Sequence, residues 1–131
     1  MRVQRLDHLV LTVRDVATTV AFYTCVLDML PVTFAGGRMA LAFGEQKLNL
    51  HQAGAEFEPK AERPTPGSAD LCFVVDDDLA VVEGHLRACD VAILEGPVRR
   101  TGARGPITSL YFRDPDGNLL EVSRYDAPPP A

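Results

Sequence analysis

Residues 6–13 read LDHLVLTV, and residues 70–75 read DLCFVV. Both runs have the β-branched and apolar content of strands, and the same series of elements follows each. After the first, Asp15 is placed to cap a helix carrying Val16, Val20, Tyr23, Leu27 and Leu30 at helical spacing, which Pro31 ends. Three short strands are predicted next: VTF (32–34), RMALAF (38–43) and KLNLH (47–51). Gly36-Gly37 and Gly44-Glu45-Gln46 punctuate them as turns. After the second run, Asp77 is placed to cap a helix with Leu79, Val82, Leu86 and Cys89 on one side. The strands VAILEG (91–96), ITSLYFR (107–113) and NLLEVSRY (118–125) follow, and Asp114-Pro115-Asp116-Gly117-Asn118 joins the last two as a hairpin.

Each half is therefore a βαβββ module. Module 1 spans about 4–53 and module 2 spans 68–126, with the Pro-, Gly- and charge-rich stretch 54–67 as linker. Strand 6–13 matches 68–75 at an offset of 62 residues, and the closing strands 48–51 and 118–121 match at an offset of 70. The expected fold is a single α+β domain in which two modules, related by a pseudo-twofold, form a curved mixed sheet or half-barrel around a central cavity. Residues 126–131 read as a frayed proline-rich tail.

Strand side chains alternate between faces. Leu9, Leu11, Val13, Leu48, Leu50, Leu71, Phe73, Val75, Leu120 and Val122 fall on apolar faces suited to packing against helices. The opposite faces mix small, polar and titratable groups and suit a cavity lining. His8, His51, Asp70 and Glu121 lie there, each on the first or last strand of its half. Two imidazoles and two carboxylates suit a borderline divalent metal such as Ni, Zn, Mn, Fe or Co. Six-coordination would leave positions for water or substrate. Val10, Thr12, Asn49, Cys72, Tyr111, Ser123 and Tyr125 complete the expected pocket lining. Arg99, Arg100 and Arg104 lie in the basic run 99–106, read as a mobile lip that grips an anionic group.

The balance of 13 Lys and Arg against 18 Asp and Glu gives a net charge of −5, which argues against nucleic acid and anionic membranes as partners. The start, MRVQRLDHLV, has no apolar stretch of signal-peptide length, and no run approaches the span of a bilayer. Three cysteines without a C-x-x-C pair read as free thiols, so the expected location is cytoplasmic.

The phrases D-H-L-V-L-T-V (7–13), F-Y-x-x-V-L-x-M (22–29) and F-R-D-P-D-G-N-L-L-E-V (112–122) resemble the vicinal oxygen chelate superfamily of glyoxalases, bleomycin-resistance proteins and dioxygenases. Within it, F-G-E-Q-K-L-N-L-H (43–51), E-F-E-P-K-A (56–61) and the stretch 95–116 are most similar to the glyoxalase domain-containing protein 5 group. The resemblance implies metal ligands on the first and last strands of each module. Asp70 stands where the family often has His, and His51 where it often has Glu or Gln. It further implies a homodimer and a metal-dependent lyase or isomerase acting on a small molecule that chelates the metal through neighbouring oxygens, with Glu121 as general base. A bleomycin-binding type of sequestering protein and an extradiol-type dioxygenase are the alternatives. The departure at Asp70 counts against the dioxygenase.

Overall fold

A computed structural model describes residues 1–126, so most of the proline-rich tail lies outside the described residues. The chain divides into two compact units between Ser68 and Ala69, and the linker belongs with the first. Unit 1 contains β1 (His8–Val13), α1 (Val16–Leu27), β2 (Leu30–Phe34), a 3₁₀ turn (Ala35–Gly37), β3 (Arg38–Phe43) and β4 (Gln46–Gln52). Unit 2 contains β5 (Asp70–Val74), α2 (Leu79–Ala88), β6 (Glu95–Gly102), β7 (Gly105–Arg113) and β8 (Leu119–Tyr125). Each unit is a βαβββ module with an open four-stranded mixed sheet, in the orders β1-β4-β3-β2 and β5-β8-β7-β6. Among the described residues, no helix is long and apolar enough to cross a membrane.

The alternation of side chains decides where each core forms. In unit 1 the face carrying Leu11, Val13, Leu41, Leu48 and Leu50 is buried with Tyr23 and Val26 of α1. In unit 2 Leu110, Phe112, Leu120 and Val122 are buried, as is Leu86 of α2. Burying a Leu or Phe side chain of this kind contributes about 1.5–3 kcal/mol.

The helix ends depart from expectation in instructive ways. Asp15 does cap α1, its carboxylate accepting the Thr18 amide at 3.0 Å. The helix stops before Pro31, at Asp28, which takes the left-handed conformation and donates its amide to the Tyr23 carbonyl. Leu30 thus leaves the helical stripe, starts β2 and is 68% exposed. At α2 the cap position is Asp78, not Asp77, and its side chain makes no capping bond. Its carboxylate instead pairs with Arg124 at 2.6 Å, a charged donor that outcompetes a helix amide.

The strand expected at 91–96 lies further along. The Val91 amide is used up in closing α2 on the Leu86 carbonyl, at 2.9 Å. Strand pairing begins only at Glu95 and runs through Arg99, Arg100 and Thr101 to Gly102. The segment 99–106 is therefore not a loose lip but the paired end of a β6–β7 hairpin, with Ala103-Arg104 as its turn.

The registers also correct the internal repeat. β1 pairs in parallel with β4, Val10 opposite Asn49. β5 pairs in parallel with β8, Cys72 opposite Glu121. Since Val10 and Cys72 are equivalent at offset 62, Asn49 and Glu121 are equivalent at offset 72, not 70. The counterpart of His51 is Ser123.

Gly96 sits in β6 with φ +114°, and a Cβ there would lie 2.4 Å from the Ser109 carbonyl oxygen. Gly96→Ala is expected to cost about 2 kcal/mol or more through strain and displacement of β7. Gly44→Ala also has a positive φ, but its Cβ would meet nothing within 4 Å, so it should cost about half as much. Thermal unfolding of the two variants tests this; equal losses would show that the close approach at Gly96 is not limiting.

Candidate functional site

Unit 2 holds a cleft of about 390 Å³ on the sheet face opposite α2. Its floor comes from β5, β7 and β8, where Cys72, Tyr111, Glu121 and Tyr125 share that face, and its walls include Val74, Ile107 and Arg100. Apolar walls with a few convergent polar groups are the usual make-up of a small-molecule site.

Glu121 is held from beneath by buried hydroxyls. One carboxylate oxygen accepts the Ser109 hydroxyl at 2.5 Å and lies 3.2 Å from the Ser123 hydroxyl. Ser109 and Ser123 are both fully buried and 2.7 Å apart, and Cys72 Sγ lies 3.2 Å from Ser123 Oγ. Each hydroxyl has one proton, so the geometry orders them. Ser109 donates to Glu121, Ser123 donates to Ser109 along the shorter of its two contacts, and the Cys72 thiol donates to Ser123. The result is a one-way chain ending on a carboxylate, in which each bond polarises the next. Partial burial raises the Cys72 pKa above its ordinary value and the Glu121 charge raises it further, while the Ser123 hydrogen bond opposes both. Burial likewise raises the Tyr111 pKa, assisted by Glu121 and opposed by Arg100.

The candidate residues separate into three groups. Cys72, Arg100, Tyr111, Glu121 and Tyr125 line the cleft, and Ser123 lies beneath it. Arg99 is turned away to Asp126, at 3.2 Å. Arg104 sits at the hairpin turn, its amide donating to the Tyr125 hydroxyl at 3.1 Å. His8, Val10, Thr12, Asn49 and His51 belong to the open face of unit 1. Ser109 was missed by sequence reasoning, although the alternation in ITSLYFR puts it on the face of Tyr111 and its register puts it opposite Ser123.

For a shared metal ion the registers are decisive within each unit. Asp70 is diagonal to Glu121, since its direct partner is Leu119, so their α-carbons are about 8 Å apart on one face. His8 stands in the same diagonal relation to Asn49. His51, however, is opposite Thr12, four residues and about 13 Å along the strand from His8. His8 and His51 of one unit therefore do not share an ion, which corrects the expectation that both do. His51 is buried, its ring edge-to-face with Phe57 at 5.5 Å, and the Arg38 guanidinium lies 4.0 Å from the centroid of the same Phe57 ring. Among the described residues, no three His, Cys, Asp or Glu gather where they could hold a metal.

The donor chemistry nevertheless fits a metal. His8 Nδ1 lies 2.8 Å from the Asp7 carboxylate, and this bond lowers the Asp7 pKa. A carboxylate can only accept here, so Nδ1 carries a proton, and in the neutral ring Nε2 is the nitrogen left to ligate, the arrangement of ligating histidines. Asn49 Oδ1 is buried without a hydrogen-bond partner, at the place equivalent to Glu121. A buried acceptor left open in this way costs about 1–3 kcal/mol and calls for a ligand.

Removing the Glu121 charge should lower the Cys72 pKa, because a nearby anion disfavours the thiolate. In metal-chelated protein, Glu121→Gln is expected to speed alkylation of Cys72 by iodoacetamide at neutral pH several-fold, with Cys72→Ser as the blank for Cys25 and Cys89. An unchanged rate would mean that the carboxylate does not govern the thiol.

Comparison with known proteins supports this architecture. Residues 5–122 match the family model described as Glyoxalase/Bleomycin resistance protein/Dioxygenase superfamily. The chain is 57% identical over 125 residues to the virulence protein STM3117 of Salmonella typhimurium, covering 95% of this chain and 87% of that protein. It is 56% identical to the glyoxalase domain-containing protein RDO1 of Mycosarcoma maydis, covering 95% of this chain and 70% of that one. The structure of an integron cassette protein from the mobile metagenome of V. cholerae superposes with a TM-score of 0.95 at 60% identity, covering 96% of this chain and 98% of that one.

Proposed function

The chain belongs to the glyoxalase/bleomycin resistance protein/dioxygenase superfamily, and on that premise we propose that it is a metal-dependent lyase or isomerase of the glyoxalase type. Its substrate is a small molecule that presents two neighbouring oxygens. The observation that carries this reading is the Glu121 carboxylate, oriented by two buried serines at the floor of a cleft. A carboxylate that only solvated a sheet surface would need no such support.

His8, Asp70 and Glu121 are the residues that would hold the ion, with Asn49 Oδ1 at the place first assigned to His51. Unit 1 carries His8 and Asn49, and unit 2 carries Asp70 and Glu121. What a bound divalent ion (Ni, Zn, Mn, Fe or Co) supplies there is Lewis acidity toward the substrate oxygens. The proton is the task of Glu121. One of its oxygens accepts from Ser109, itself held by Ser123, which fixes the carboxylate plane and leaves the other oxygen to take a proton from carbon and return it. The raised Tyr111 pKa keeps that neighbour a neutral donor at physiological pH.

Purified protein is expected to carry about one divalent ion per chain by elemental analysis. His8→Ala and Asp70→Ala should lose it, whereas His51→Ala should keep it. Glu121→Gln should depress turnover of a hemithioacetal by about 10²–10⁴-fold. Tight ligand binding by chelated protein without turnover would favour a sequestering protein, and a metal content indifferent to His8→Ala would overturn the ligand set.

A further inference from the structure

We propose that Thr12, Arg38 and His51 form an oxyanion-binding subsite on the open face of unit 1, taking a small organic anion by its carboxylate or phosphate group. The site goes beyond the reaction proposed for Glu121 and does not depend on it, since all three residues belong to unit 1.

The three residues form one cross-strand row. Thr12 of β1 is opposite His51 of β4. Met39 is opposite Leu50, so the next step of that antiparallel ladder brings Arg38 of β3 level with His51. Phe57 joins the row from the linker. Its ring centroid lies 5.5 Å from that of His51 and 4.0 Å from the Arg38 guanidinium. A second cation reaches the same end of the face. Lys47 starts opposite Ala42, yet its Nζ lies 4.0 Å from the ring centroid of Phe34, the residue opposite Arg38.

Hydrogen-bond accounting then points to a ligand. Among the described residues, the Thr12 hydroxyl, the His51 ring nitrogens and the Arg38 guanidinium have no hydrogen-bond or ion-pair partner. His51 is only 8% exposed, and a donor left unmet in so buried a side chain costs free energy. A guanidinium has five N–H groups, and contact with the face of one ring leaves most of them unspent. The acids beside this face are committed elsewhere. Asp7 is bound to His8 at 2.8 Å. Glu56, next to Phe57, accepts from the Gly54 amide and from Lys60. The unspent donors are thus a planar fork, an imidazole N–H and a hydroxyl, with Lys47 adding charge. A single group that meets them carries a negative charge and two or more acceptor oxygens, as a carboxylate or a phosphate does. A cationic ligand would be repelled by Arg38 and Lys47.

The test is an NMR titration of the isotope-labelled protein after chelation with EDTA, which keeps the probes from any bound metal. Inorganic phosphate and acetate are added in separate titrations, with ionic strength held constant by chloride. The backbone amide signals of Thr12, His51 and Phe57 should shift saturably with at least one probe, and the tighter probe names the group recognised. Arg38→Gln should raise the dissociation constant about tenfold or more, and Thr12→Val should raise it less, both with the spectrum of the folded protein retained. His51→Ala should also weaken binding, while the same variant as purified keeps its metal. Arg100→Gln, in the cleft of unit 2, should leave the titration unchanged. The subsite is overturned by any of four results: no saturable shift with either anion, an equal response to chloride alone, binding that survives Arg38→Gln, or binding lost in Arg100→Gln.

Discussion

Parallel pairing between the first and last strand of each unit is the constraint from which the rest follows. A parallel pair cannot be closed by a tight turn, so the chain must cross over, and in each unit it begins that crossing with a helix. The helix takes one face of the sheet, where Leu11 and Leu48 or Phe112 and Leu120 are buried. The other face is then open by construction. The register of the same pair decides which side chains become diagonal neighbours there: His8 with Asn49 in one unit, Asp70 with Glu121 in the other. Core and candidate site are thus two consequences of one pairing.

That logic separates what the sequence discloses from what it does not. Alternation in LDHLVLTV and DLCFVV is a local property, and it disclosed the duplicated modules and the identity of the two faces. Register is not local. Two strands some 40 residues apart can slide by two residues without moving any side chain to the wrong face, so KLNLH offered Asn49 and His51 equally, and the stronger ligand type drew the reading to His51. The same holds for competition between partners. Asp78 fails as a cap because of Arg124, a residue 46 positions away. VAILEG has strand composition, yet its first amide is claimed by α2. The placement of Phe57 over His51 depends on a linker path that no periodicity encodes.

The two units have kept one backbone plan while their open faces have taken different chemistry. In unit 1 the face carries Lys47 stacked 4.0 Å from the Phe34 ring and Phe57 beneath Arg38. Cations seated on aromatic rings contribute about 0.5–1 kcal/mol each at exposed sites and give that face a positive, apolar cover. In unit 2 the corresponding face carries two carboxylates, two buried hydroxyls, a thiol and two phenols. The pair at equivalent positions makes the contrast plain. Asn49 presents a buried acceptor with nothing to accept from, whereas Glu121 has its acceptor met by serine.

A carboxylate that accepts a buried hydroxyl at 2.5 Å is held in place. The chain beneath it fixes it with neutral dipoles, not with a full cation, so Glu121 is oriented without being paired to a positive charge by that chain. Cys72 stays a thiol, because burial and the neighbouring carboxylate both raise its pKa, and so it adds no second anion. Arg100, which lines the same cleft, spends its donors on the Tyr111 hydroxyl, the Arg99 carbonyl and Glu95, so orientation of the carboxylate and placement of the cation are assigned to separate partners.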